Sequence, residues 1–138
     1  MEHYLQYKYG LKSSENFDEY LKFIGVGLLA RTAAAGVSPV CSLVLNEDGT
    51  YTFTSYSLLK TITLTFSLDE EFIEERPADG AQLKSKCTIV GNDLIHESTE
   101  ESGRKTRVVR TFTENSLMAV TTVDGWDKQC IRVYERIY

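Results

Sequence analysis

Apolar and polar positions alternate along most of this chain, and the alternation breaks once, near the N-terminus. Tyr4, Leu5, Tyr7, Tyr9 and Leu11 predict a first strand. In "SSENFDEYLKFIG" the period changes. Phe17, Tyr20, Leu21 and Ile24 fall at i, i+3, i+4 and i+7, which gives a helix with one apolar face. Asn16 with Glu19 three residues later has the form of a capping box, and Gly25 is a helix stop. A second short helix is expected over Leu28–Ala35, ended by Gly36 and Pro39.

From Pro39 onward the period is two. "VCSLVL", "TYTFTS", "KTITLTFSL", "EEFIEE", "LKSKCTIV", "DLIHES", "TRVVRTFT", "LMAVTTV" and "QCIRVYERIY" read as strands, separated by turns such as "NEDG", "PADG" and Gly91-Asn92. With the first strand they make ten. Strands joined by links this short pair antiparallel. So many in series favour closure, because an open sheet leaves two exposed edges. The expected fold is all-β: a ten-stranded antiparallel up-and-down barrel, clam-like, with a two-helix lid inserted after the first strand. Residues 1–138 read as one barrel domain.

Composition and charge remove several classes of function. The chain is 42% hydrophobic and 25% charged, with a net charge of -5. That balance opposes a general affinity for nucleic acid or for anionic membranes. "FIGVGLLA" is too short to cross a bilayer, and "MEHYLQYKYG" lacks the apolar run of a signal peptide. Cys41, Cys87 and Cys130 are odd in number and far apart, as expected of reduced apolar fillers in a cytoplasmic protein. No metal or cofactor is expected. His96 has no serine or aspartate motif beside it and reads as an ordinary strand histidine. "GVG" lacks the rest of a dinucleotide fingerprint.

Two strands are ambiguous. Val108, Arg110 and Phe112 share a face, so Arg110 either covers apolar surface with its stem or points inward. In "CIRVYERIY", simple alternation would bury Ile131 and Val133 and turn Arg132 and Tyr134 to water.

"SSENFDEYLKFIGVGLLAR", then "FSLDEEF" with "ADG", then the terminal "RVYERI" together resemble the intracellular fatty-acid-binding proteins, over nearly the whole chain. The resemblance implies the same lidded ten-stranded barrel and reversible, non-enzymatic carriage of long-chain fatty acids by a monomer, with no cofactor. It also implies transient membrane contact through the lid. It turns Arg110, Arg132 and Tyr134 inward as a carboxylate site, with Glu74 as an accompanying acid. It places Phe17, Tyr20, Leu21, Val26, Ala34, Ser55, Leu59, Ala78 and Asp79 along the cavity and its portal. Three departures stand out: Tyr7 in place of a usual glycine, a longer "EERPADG" turn around Arg76, and a longer "VDGWDKQC" hairpin carrying Trp126. Retinoic acid is the nearest alternative ligand. Catalysis on an apolar acid or ester through His96 is a more distant one.

Overall fold

The computed structural model describes residues 1–137. β1 (Tyr9–Glu15) is followed by α1 (Phe17–Phe23) and α2 (Leu28–Ala35). Then come β2 (Val40–Leu45), β3 (Tyr51–Tyr56), β4 (Thr61–Phe66), β5 (Phe72–Glu75) and β6 (Gln82–Val90). β7 (Asp93–Glu100), β8 (Lys105–Phe112), β9 (Ser116–Val123) and β10 (Cys130–Arg136) complete the set. Each strand pairs antiparallel with its neighbour, in the order β4-β3-β2-β1-β10-β9-β8-β7-β6-β5. The first and last strands therefore pair in the middle of the sheet. The ladder ends at β4 and β5, which do not pair with each other, so closure is nearly but not fully made in backbone hydrogen bonds.

The helices leave β1 and return at β2, so they mark one end of the barrel. Antiparallel pairing then puts the β3–β4, β5–β6, β7–β8 and β9–β10 connections at this lidded end. The other turns lie at the far end.

The first strand begins later than expected. Glu2–Tyr4 forms a short 3₁₀ helix, Gln6 takes φ 73°, and strand geometry starts only at Tyr9. Tyr4 and Tyr7 are three residues apart, a turn spacing, and they continue an aromatic chain into the core. Ring centroids are 6.3 Å apart for Tyr4–Tyr7, 6.5 Å for Tyr7–Tyr9 and 5.8 Å for Tyr9–Phe112. Tyr9 is fully buried, and its hydroxyl donates to the Thr113 carbonyl at 2.9 Å.

The capping box is not made. Asn16 sits at the N-cap of α1 in the left-handed region, φ 61°, and its side chain caps nothing. Its Nδ2 donates instead to the Gln129 carbonyl at 2.9 Å, and Glu19 receives Lys128. Both contacts join α1 to the long β9–β10 hairpin. Trp126 of that hairpin stacks on Phe23 at 5.9 Å and tilts against Tyr20 at 6.1 Å. The added residues of the last hairpin thus serve to dock α1. Gly25, φ 100°, ends that helix as expected.

Two apolar clusters result. The larger lies within the barrel and includes Tyr9, Leu43, Phe53, Leu94, Phe112 and Leu117. The smaller joins Leu21, Ile24 and Val26 to Val123 beneath α1, with Phe23, Ala34 and Trp126 against it.

Trp126 fills a half-buried site between two aromatic rings. Trp126→Ala should therefore lower stability by about 2 kcal/mol, below the cost of a fully buried aromatic. Leu58→Ala, at an exposed position, should change it by less than about 0.5 kcal/mol. Urea unfolding of both variants measures the difference.

Candidate functional site

Side chains of successive strand residues point to opposite faces, so burial along each strand reveals which parity faces the interior. In β8, Thr106 and Phe112 are buried, which turns Val108 and Arg110 to the same side. In β10, Cys130 and Tyr134 are buried, which turns Arg132 inward between them. Ile131 and Val133, the apolar pair, take the other face. β5 shows the same inversion: Ile73 is exposed, while Phe72 and Glu74 are partly buried.

Register brings the two arginines onto one rung. Leu94 pairs with Arg110, Arg110 with Ala119, Ala119 with Arg132, and Arg132 with Ser14. Adjacent strands are about 4.8 Å apart, so the two arginine backbones stand roughly 10 Å apart. The small methyl of Ala119 lies between them and leaves the space open. Arg110 lies over the Phe53 ring at 4.4 Å. Arg132 lies over the Phe17 ring at 3.9 Å, and its Nε donates to Ser14 Oγ at 3.0 Å. Stacking on an aromatic face supplies part of what a guanidinium loses on leaving water.

Among the described residues, neither arginine has a carboxylate within ion-pair distance. Arg31, Arg76, Arg104 and Arg136 all do, and Arg107 is exposed. Tyr134 is buried, and desolvation pushes its phenol well above the ordinary tyrosine range. It therefore stays protonated and can donate.

These three residues line a cavity of about 520 Å³, within the range of small-molecule sites. Phe17, Tyr20 and Ser55 line it as well. Three residues expected to face it from the helices lie elsewhere, whereas those expected at the portal do lie on lidded-end turns. Leu21 and Val26 are committed to the cluster beneath α1, and Ala34 packs against that cluster. The α1 period correctly puts Leu21 on an apolar face, but that face rests on Val123 and the last hairpin. Leu59 and Ala78 are exposed on lidded-end turns.

Asp79 is held by Arg76, whose Nε and Nη2 donate to its two carboxylate oxygens at 2.9 and 2.8 Å. Arg76 is only 7% exposed, and its Nη1 lies 3.6 Å from Glu100. Glu100 also receives two bonds from Arg104, at 2.6 and 3.0 Å. The lengthened β5–β6 turn is thereby tied to the end of β7.

One cavity group was not expected. His96 Nε2 lies 2.6 Å from Glu74 Oε2, and both residues line the cavity. No local motif links residues separated by 22 positions. The available signal was parity: His96 shares a face with Leu94, and Glu74 shares one with Phe72. Burial would raise the Glu74 carboxyl, but its bond to His96, assisted by Ser85 and Arg110, holds it below the ordinary range. Cys41 and Cys130 also line the cavity. Burial pushes the Cys130 thiol up to about 11 and the Cys87 thiol to about 12, so all three cysteines behave as neutral fillers.

A lidded clam of ten antiparallel strands around a basic hollow defines a small-ligand-binding barrel. The chain belongs to the lipocalin / cytosolic fatty-acid binding protein family, whose sequence model matches residues 8–136. It is 37% identical over 130 residues to fatty acid-binding protein homolog 7 of Caenorhabditis elegans, covering 94% of this chain and 93% of that one. Its fold is similar to that of the fatty acid-binding protein from brain tissue of Drosophila melanogaster, with a TM-score of 0.88 and 41% identity over 96% and 98% of the two chains. It is also similar to the Schistosoma mansoni fatty acid binding protein solved in complex with arachidonic acid: TM-score 0.88, 27% identity, 100% and 98% coverage.

The ion pairs set an acid limit on stability. Bonds from Arg76 hold Asp79 below the ordinary carboxylate range, bonds from Arg104 do the same for Glu100, and Glu74 is lowered as described. A depressed carboxylate stabilises the fold above its unfolded value, about 4, and that contribution is lost as pH falls through the folded value. The urea midpoint should therefore drop on acidification from about pH 5 to about pH 3. Arg76→Met should start lower and show a shallower drop, because Asp79 would then titrate nearly alike folded and unfolded.

Proposed function

We propose that this protein is a reversible, non-enzymatic carrier of long-chain fatty acids, with the ligand carboxylate held by Arg110, Arg132 and Tyr134. The observation that carries this reading is the pair of inward guanidiniums, free of carboxylates, on either side of Ala119 in the cavity. Uncompensated charge of this kind is costly to keep inside a fold unless an anion meets it. A carboxylate between the two arginines would accept from both forks and from the Tyr134 hydroxyl. The names of the relatives support the same ligand class.

The tail supplies most of the affinity. A dozen buried methylenes at about 0.8 kcal/mol each give on the order of 10 kcal/mol. Micromolar binding needs about 8 kcal/mol, and the surplus is offset by lost chain freedom. The head site then sets orientation and the preference for acids.

Delivery belongs to the lidded end. Leu28 and Leu29 of α2 and Leu58 and Leu59 of the β3–β4 turn are exposed there, Leu29 at 88% and Leu58 at 95%. Isolated exposed leucines are ordinary, but four at one end form a surface suited to brief contact with a bilayer. The carrier acts as a monomer in the cytoplasm on this reading, and its three buried free thiols suit a reducing compartment.

Two measurements test the reading. Arg132→Ala should weaken oleic-acid binding about tenfold or more while leaving a neutral apolar dye bound as before. Equal loss of both would point to a damaged fold, and no loss of either would reject the head site. Retinoic acid titrated alongside distinguishes the nearest alternative ligand. Separately, Leu29→Glu should slow transfer of a fluorescent fatty acid to phospholipid vesicles several-fold without changing its affinity.

A further inference from the structure

The cavity contains a second polar feature that carboxylate binding does not use. His96 and Glu74 face it from β7 and β5, joined at 2.6 Å, with side chains only 11% and 12% exposed. His96 pairs with Val108, while Leu94 pairs with Arg110. The histidine therefore lies two strand residues, about 7 Å, from the arginine rung and nearer the lidded end. A tail running from the arginines toward the lid passes this pair.

We propose that His96 and Glu74 form a second polar subsite, which selects fatty acids bearing a hydroxyl group a short way along the chain from the carboxylate. This deepens the carrier reading and rests on it. The Nε2–Oε2 bond leaves a second carboxylate oxygen on Glu74 as an acceptor. It also leaves Nδ1 of His96, which has no hydrogen-bond partner among the described residues. An alcohol can donate to the carboxylate and accept from, or donate to, the ring. A methylene can do neither, and it would strip water from both groups without replacing it. Depression of the Glu74 carboxyl keeps it ionised near neutral pH, and a charged acceptor makes the stronger bond.

The lining around this placement is mixed. The β3–β4 side presents Phe53, Ile62 and Leu64 together with Ser55 and Thr63, and the β8–β9 side presents Val108, Leu117 and Ala119 together with Thr121. On β6, between the strands that carry Glu74 and His96, the buried Ser85 donates to Ser98 at 2.9 Å. The His96–Glu74 pair is thus where a chain hydroxyl meets two polar side chains at once.

The test is displacement of a neutral apolar dye from the full chain by stearic acid and by hydroxystearic acids. The hydroxyl is placed near the carboxylate, mid-chain or at the methyl end. The isomer whose hydroxyl falls about 7 Å from the carboxylate should bind about tenfold tighter than stearic acid. The methyl-end isomer should show no such gain. The double substitution His96→Leu with Glu74→Leu should erase the gain, so that in this variant the hydroxylated isomer and stearic acid bind alike. Stearic acid binding as well as every isomer in the wild type overturns the proposal, as does a gain that survives the double substitution. The wild-type comparison decides even if that variant fails to fold. Failure of every acid to displace the dye would instead reject the carrier reading, and the subsite with it.

Discussion

Two guanidinium groups inside a protein set the conditions that the rest of this barrel meets. A buried charge without a partner is among the costlier things a fold can hold. Here the cost is contained by three arrangements. Aromatic faces, Phe53 and Phe17, lie beneath each guanidinium. Ser14 accepts from Arg132 at the end of the rung. Glu74 lies close enough for the charge of Arg110 to help hold its carboxyl below the ordinary range. None of these neutralises the pair outright, and on the reading proposed here a ligand carboxylate would complete the compensation.

Register then fixes the spacing of the pair. Because Arg110 and Arg132 both pair with Ala119, the distance between them is set by two strand spacings and does not depend on any loop. The backbone hydrogen bonds of β8, β9 and β10 thus hold the receptor to fixed dimensions. The lidded end is built differently. One side is tied by the Arg76–Asp79 and Arg104–Glu100 bonds and by Trp126 against α1. The other side, with α2 and the β3–β4 turn, presents exposed leucines. The two-arginine rung is thus held by strand ladders deep in the barrel, while exposed apolar side chains gather at the mouth.

Much of this architecture is legible in the order of residues, for identifiable reasons. Turns such as "NEDG" carry a glycine whose positive φ is visible in its identity, and Gly49 adopts it. The helix over Leu28–Ala35 is bounded by glycine and proline, which act locally. What alternation alone misread depends on distant strands. Nothing near Arg132 shows that Cys130 and Tyr134, and not Ile131 and Val133, are the buried pair; the resemblance implied it for Tyr134, and the burial along β10 shows it for both. Asn16 looks like a cap because its preference is local, yet it is taken by Gln129 from the far end of the chain. The His96–Glu74 contact joins β7 to β5 over the intervening β6, between residues 22 positions apart, so no local pattern could announce it. Leu21 falls on the apolar face that the helix period predicts, but the period does not say which partner the face will meet.

The unpaired seam between β4 and β5 has a mechanical meaning. Everywhere else around the circumference, enlarging the hollow would mean breaking a ladder of backbone bonds. At the seam only side chains bridge the two sheet ends, and β5 is four residues long. Widening the hollow at this seam would disturb side-chain packing but no strand ladder, while the opposite wall is held by its backbone bonds.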